Sequence, residues 1–167
     1  LAWTMFSHRL SATMRAYRKA AALHNVSDVG AAMTGMATPL LNAVGRDITK
    51  EAAYGYLPYV VGRSQELETL VRVFESGGRG AVLVGPQGIG KMSVIEALGA
   101  RMVEGRVPEL LNDKRLIMIP ISHIISGDNP SAYYVRLTTI IQEVARAGNI
   151  VLAFDGIEGI AGVKAGG

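Results

Sequence analysis

The stretch Gly85-Pro86-Gln87-Gly88-Ile89-Gly90-Lys91-Met92-Ser93 has the spacing that suits it to hold a chain of phosphates. Gly85, Gly90 and Lys91 occupy the fixed positions of the G-x-x-x-x-G-K-[ST] loop. Glycines let backbone N–H groups curl toward an anion with no Cβ in the way. A helix start adds partial positive charge behind them, and the lysine adds a whole one. The last motif position normally carries a hydroxyl for magnesium, and here it is Met92. A thioether is a poor ligand for a hard cation that prefers oxygen. Ser93 lies one residue on, about 100° around a helix, and so points away from the metal. The second chemical group is Asp155, which closes the apolar run Ile150-Val151-Leu152-Ala153-Phe154 and is followed by Gly156.

Strand, glycine loop, then helix is the context in which this spacing means a phosphate-binding loop. Ala81-Val82-Leu83-Val84 reads as the strand before it. Met92 to Val103 reads as the helix after it, with Arg101 near its end and Gly105 as C-cap. Upstream, an amphipathic helix is expected from about Ser64 to Ser76, with Ser64 as N-cap and Glu66 in the first turn. Downstream, Val107-Pro108-Glu109-Leu110 makes a turn and Arg115 to Ile121 reads as a second buried strand. A polar loop, Ser126 to Pro130, introduces a helix over Ser131–Ala147 whose apolar positions are Tyr134, Leu137, Ile141 and Val144. Gly148-Asn149 closes it before a third strand, Ile150–Asp155. This alternation implies an α/β fold, a parallel sheet with helices on its faces and right-handed crossovers.

The totals narrow the function classes. At 167 residues the chain is one domain, or most of one plus an extension. Apolar residues make up 49% of it and the mean hydropathy is +0.26, which suggests more covered surface than a free monomer needs. With no cysteine there is neither a disulfide framework nor a thiolate metal site. His8, His24 and His123 are scattered without ligand spacing, so no zinc site is expected. No run of 18 uncharged apolar residues exists, and Gly30–Val44 is short and broken by Pro39, so no membrane span is expected. The pI is 9.3, yet no basic–aromatic interleaving suggests a nucleic-acid partner.

The basic excess belongs to the N-terminus. Residues 1–27 hold Arg9, Arg15, Arg18 and Lys19 and no acid. Such a start fits a mitochondrial origin, and equally a simple basic helix. Trp3, Phe6, Leu10, Met14, Tyr17, Ala21 and His24 recur at spacings of three and four, along one side of a helix. That face either packs on its own domain or docks on another protein, with a membrane surface as a third option. The docked reading is preferred, because a helix ahead of the first motif has little intramolecular surface to cover. Val29 to Pro39, rich in small residues, suits either close helix packing or a linker.

From Asn42 onward the motifs, taken in order, resemble the first ATPase module of the Clp-type AAA+ unfoldases and disaggregases. Gly45-Arg46-Asp47-Ile48-Thr49 and Val60-Val61-Gly62-Arg63 are similar to that family's opening segment and its Val-Ile-Gly-Arg box. The run Arg101 to Glu109 is similar to its linker between the first helix and second strand. The resemblance covers about Asn42 to Gly162. It implies a basic amphipathic extension and linker at 1–41, and at 42–167 a partial P-loop AAA+ large subdomain. It also implies that Val60 and Val61 flank adenine, and that Gly85, Gly88, Ile89, Gly90, Lys91, Met92 and Ser93 surround the phosphates of ATP or ADP. Asp155 matches the family's magnesium-supporting aspartate.

The departures from the family pattern fall on chemistry. Met92 replaces the threonine that binds magnesium. Gly156 replaces the glutamate that activates water, with Glu158 two residues further on. Asn129 stands where the family's substrate-gripping loop carries an aromatic residue. The sequence ends at Gly166-Gly167, which reads either as part of a longer chain or as a truncated paralogue. The expectation is therefore a catalytically inactive Clp-like subunit, a structural or adaptor component of a larger organellar assembly of protein subunits. ATP or ADP is expected as a weakly or structurally bound ligand, and a magnesium ion is not expected. The alternative is an N-terminal ATPase-module fragment of a working Clp-type chaperone.

Overall fold

The computed structural model describes residues 37–125 and 130–157. The helix expected over Trp3–His24, and the positions Asn129 and Glu158, lie outside these residues. The described residues form two compact units, one of residues 49–113 and one of residues 37–48 with 114–157.

The second unit is built on a three-stranded sheet. Helix α1 (Pro39–Val44) opens with Pro39 in its first turn, where a missing N–H costs nothing. The chain then forms β1 (Arg46–Asp47), which pairs antiparallel with β2 (Arg115–Pro120), Arg46 opposite Met118 and Asp47 opposite Ile117. β2 in turn pairs in parallel with β3 (Ile150–Asp155), from Arg115 opposite Ile150 to Pro120 opposite Asp155. Leu116, Ile117, Met118 and Ile119 are all buried, the continuous apolar run of a strand covered on both faces. The Arg115 guanidinium bonds the Asp47 carboxylate at 2.9 Å and the Asn42 side chain at 3.0 Å, tying the start of β2 to β1 and α1.

After β1 the chain enters α2 (Ile48–Ala53), which leads on to the residues of the first unit. Two further helices of the first unit, α3 (Ser64–Glu75) and α4 (Lys91–Val103), pack together through Leu67, Leu70, Val71 and Phe74 of α3 and Val94, Leu98 and Met102 of α4. Leu111 of a short 3₁₀ turn, Glu109–Leu111, is also buried. An Arg101–Glu68 ion pair runs between the two helices, and the guanidinium holds that carboxyl below its usual range. The C-cap of α4 is Glu104 rather than Gly105, which follows it at φ +67: the Gly105 N–H bonds the Met102 carbonyl and the Arg106 N–H bonds that of Arg101.

Helices α5 (Ile121–Ile125) and α6 (Pro130–Ala147) complete the sheet unit. Its core gathers Leu41, Ile117, Ile119, Ile121, Ile124, Tyr133 and Ile140, with Leu137 and Val144 packed against it. The buried stripe of α6 therefore runs through Tyr133, Leu137, Ile140 and Val144. Tyr134 and Ile141, expected on that face, are 53% and 52% exposed. With apolar residues in adjacent pairs, helical spacing fits either member, and packing against the sheet chooses between them.

Two further expectations change. Ala81–Val84 is not a strand: it pairs with nothing among the described residues, and Val82 and Val84 are 80% and 91% exposed. β-propensity alone does not make a strand; a neighbouring ladder does. The sheet is also mixed rather than wholly parallel, because Arg46–Asp47 joins it antiparallel. The fold class itself, α/β with a mostly parallel sheet and flanking helices, matches expectation. Among the described residues no helix is long and apolar enough to cross a membrane.

Gly45, between α1 and β1, shows how closely these elements approach. A Cβ there would lie 2.6 Å from the Ile117 methyl and 2.8 Å from the Leu41 carbonyl oxygen, which itself accepts the Gly45 N–H. The carbonyl is backbone and cannot turn aside. Gly45→Ala is expected to lower stability by about 2 kcal/mol, read from the urea midpoint of the full chain. An unchanged midpoint would show that α1 can shift away from β2.

Candidate functional site

The phosphate loop keeps its shape through two glycines that no other residue would replace cheaply. Gly88 has φ +79 and Gly90 φ +96, both in the left-handed region. Gly90 is also the N-cap of α4, and its carbonyl accepts the helix's first bond, from Val94 N–H at 3.3 Å. The N–H groups of Lys91, Met92 and Ser93 consequently have no helical acceptor. The first turn holds no acid that would compete for them or for the lysine. Lys91 Nζ donates to the carbonyls of Gly85 at 2.8 Å and Pro86 at 3.1 Å, so the ammonium folds back over its own loop. A turn bond from Ile89 N–H to the Pro86 carbonyl, 3.3 Å, closes the loop between them.

These groups fit a phosphate chain. Helix amides, permissive glycines and a primary ammonium supply donors and positive charge, and the first turn of α4 carries no acid. They do not fit magnesium. Met92 stands half-buried where the motif supplies an oxygen ligand, and a thioether does not replace it for a hard cation.

Other expected residues are placed as follows. Val60 is half-buried and Val61 exposed, in the irregular segment before α3. Ser64 is the first residue of α3 rather than its cap; the cap position is Arg63, which makes no capping bond with its side chain. The Arg63 side chain is engaged elsewhere. One nitrogen donates to Glu66 at 2.8 Å, and the other donates to the Ile89 carbonyl of the phosphate loop. A bond from its own backbone N–H, and then the Arg63 guanidinium, hold the Glu66 carboxyl below the usual range. Sequence reasoning missed this link, because a contact across 26 positions leaves no periodic trace. Asp155 and Gly156 belong to the sheet unit, at the end of β3. Asp155 is exposed there, and Gly156 has φ +74, a backbone conformation that a glutamate side chain rarely adopts.

ClpB of Oceanobacillus iheyensis is 34% identical over 127 residues, 75% of this chain. The chain carries a Clp-type AAA+ segment. The negative regulator of genetic competence ClpC/MecB of Bacillus subtilis is 32% identical over 127 residues. The ClpA homolog of Cyanidium caldarium is 32% identical over 139 residues, 82% of the chain. No family model matches. Among solved structures, the Saccharomyces cerevisiae Hsp104–ADP complex superposes with a TM-score of 0.65 at 27% identity, over 73% of this chain and 18% of that one. The closed state of Hsp104 with ATPγS and FITC casein gives 0.66, also at 27% identity, over 74% and 22%. The chain spans 16% of the length of the curated Clp relatives named here. The resemblance read from the ordered motifs is thus matched by similarity in both sequence and structure, and the Clp-type segment is a piece of an AAA+ ATPase module.

Proposed function

We propose that this Clp-type AAA+ segment holds the phosphates of ATP or ADP without hydrolysing the nucleotide, and acts as a structural or adaptor subunit of a larger assembly. One observation carries the reading: Met92 directly follows the loop lysine in a cradle otherwise fit for phosphate. The left-handed Gly156 supports it, since the position after the β3 aspartate is shaped for glycine rather than for a general base. Losing a metal contact or a base removes several kcal/mol of transition-state stabilisation. The phosphate-binding groups themselves persist, so a bound nucleotide would stabilise the fold by mass action. The Hsp104 neighbours hold ADP and ATPγS, which supports a nucleotide as ligand.

Two parts of this reading rest on sequence alone. The face formed by Trp3, Phe6, Leu10, Met14 and Tyr17 is proposed to dock on protein subunits of the assembly, and the acid-free basic start to reflect a mitochondrial location. A second reading, an ATPase-module segment of a working Clp-type chaperone, draws support from Asp155 at the end of β3.

Nucleotide titration and turnover separate the two. Fluorescent ADP should bind the purified chain equally well with magnesium and with EDTA, and ATP should not be turned over. Magnesium-dependent turnover that Lys91→Ala abolishes would overturn the first reading in favour of the second.

A further inference from the structure

The strongest feature left unassigned is the Arg63 side chain. It approaches the phosphate loop so closely that a Cβ on Gly90 would lie 2.8 Å from Nη2, 3.1 Å from Nε and 3.2 Å from Cζ. Nη2 donates to the Ile89 carbonyl, while Nη1 donates to Glu66, which sits in the first turn of α3 and aims the planar group. The backbone of Arg63 is itself anchored, its carbonyl accepting the Leu67 N–H at 3.1 Å. A guanidinium suits this double engagement because its donors form a rigid fork.

The consequence follows from peptide geometry. In a planar trans peptide, the carbonyl of one residue and the N–H of the next point in opposite directions. Holding the Ile89 carbonyl toward Arg63 therefore turns the Gly90 N–H away from it. A glycine at φ +96 is otherwise free to let that peptide flip. The two cations at the loop thus differ in role. Lys91 rests on the Gly85 and Pro86 carbonyls and would leave them to meet a phosphate, whereas Arg63 holds a carbonyl that a phosphate would not displace.

We propose that Arg63 is a positioning residue for the phosphate loop, a strut that fixes the Ile89–Gly90 peptide so that the Gly90 N–H stays available to a nucleotide phosphate. This rests on the nucleotide-binding reading above, but its structural half can be tested without ligand. The measurement is amide hydrogen exchange across residues 85–93 of the full chain, wild type against Arg63→Ala and Arg63→Gln, together with fluorescent-ADP titration and thermal unfolding.

Exchange at Ile89, whose N–H bonds the Pro86 carbonyl across the turn that Arg63 holds, should quicken in both variants. ADP affinity should fall about tenfold, as for loss of one charge-assisted hydrogen bond, with a much smaller change in the unfolding midpoint. Arg63→Lys, which keeps the charge but not the planar fork, should recover part of both effects. Unchanged Ile89 exchange in the variants overturns the strut. Quickened exchange with unchanged ADP affinity overturns its role in binding. If the wild type binds no ADP, the nucleotide-binding reading fails and the exchange comparison alone decides whether Arg63 holds the loop. If Arg63→Ala does not fold, Arg63→Gln, nearer in shape, carries the comparison; failure of both to fold overturns a purely local strut.

Discussion

Alanine at Lys91 is expected to lower the affinity of the chain for ADP about a hundredfold, or roughly 3 kcal/mol. The ammonium is the single full positive charge that the loop motif itself carries, and the first turn of α4 contains no acid to offset it. Nζ donates to the carbonyls of Gly85 and Pro86, at 2.8 and 3.1 Å. Exchanging neutral carbonyls for a phosphate turns ordinary hydrogen bonds into charge-assisted ones at little geometric cost, because all the groups already lie together. The substitution also frees the start of the loop from the helix behind it. Anisotropy titration with fluorescent ADP reads the effect. Equal affinity in wild type and Lys91→Ala would mean that the loop amides hold the phosphates unaided, or that nucleotide binds elsewhere.

Glu143→Ala is expected to cost about 3 kcal/mol of folding stability. Glu143, on α6, is 8% exposed, and its two carboxylate oxygens accept the backbone N–H groups of Leu40 and Leu41, at 3.1 and 2.9 Å. These are donors of the first turn of α1, which no residue within that helix could satisfy. Thr38, at the cap position, bonds the Asn42 side chain instead. α1 has six residues, too few to persist on propensity, so the distant carboxylate and the burial of Leu41 hold it in place. Alanine would strand two donors in a partly dry site, whereas Glu143→Gln keeps one acceptor and should lose about half as much. Urea unfolding of the full chain gives both numbers. If the loss for alanine is below about 1 kcal/mol, water reaches those amides and the bond is not structural.

Local patterns proved readable where the physics is local. The helices after Arg63 and Gly90, the third strand at Ile150–Asp155 and the left-handed Gly105 just after α4 all lie where apolar spacing and turn residues put them. The left-handed glycines and the helix start of the loop could be read for the same reason, since they lie within nine consecutive residues. Arg63, by contrast, belonged to a recognised box but had no visible task, because its acceptor lies 26 positions away. Glu143 gave no signal at all: an acid in the middle of an amphipathic helix usually faces water.

The order and type of neighbouring residues were enough to read an α/β fold, a resemblance to the Clp-type ATPases, a loop with the spacing of a phosphate cradle and a thioether at its last position, because each depends on residues close together in the chain. Folding in three dimensions alone could show that Ala81–Val84 stays unpaired among the described residues while the two residues of β1 enter the sheet antiparallel. It alone turned Tyr133 and Ile140 inward in preference to Tyr134 and Ile141, and brought Glu143 to α1 and Arg63 to the loop. Strand pairing and long-range side-chain bonds are contacts between segments distant in the chain, and periodicity describes only what each segment does with its own neighbours.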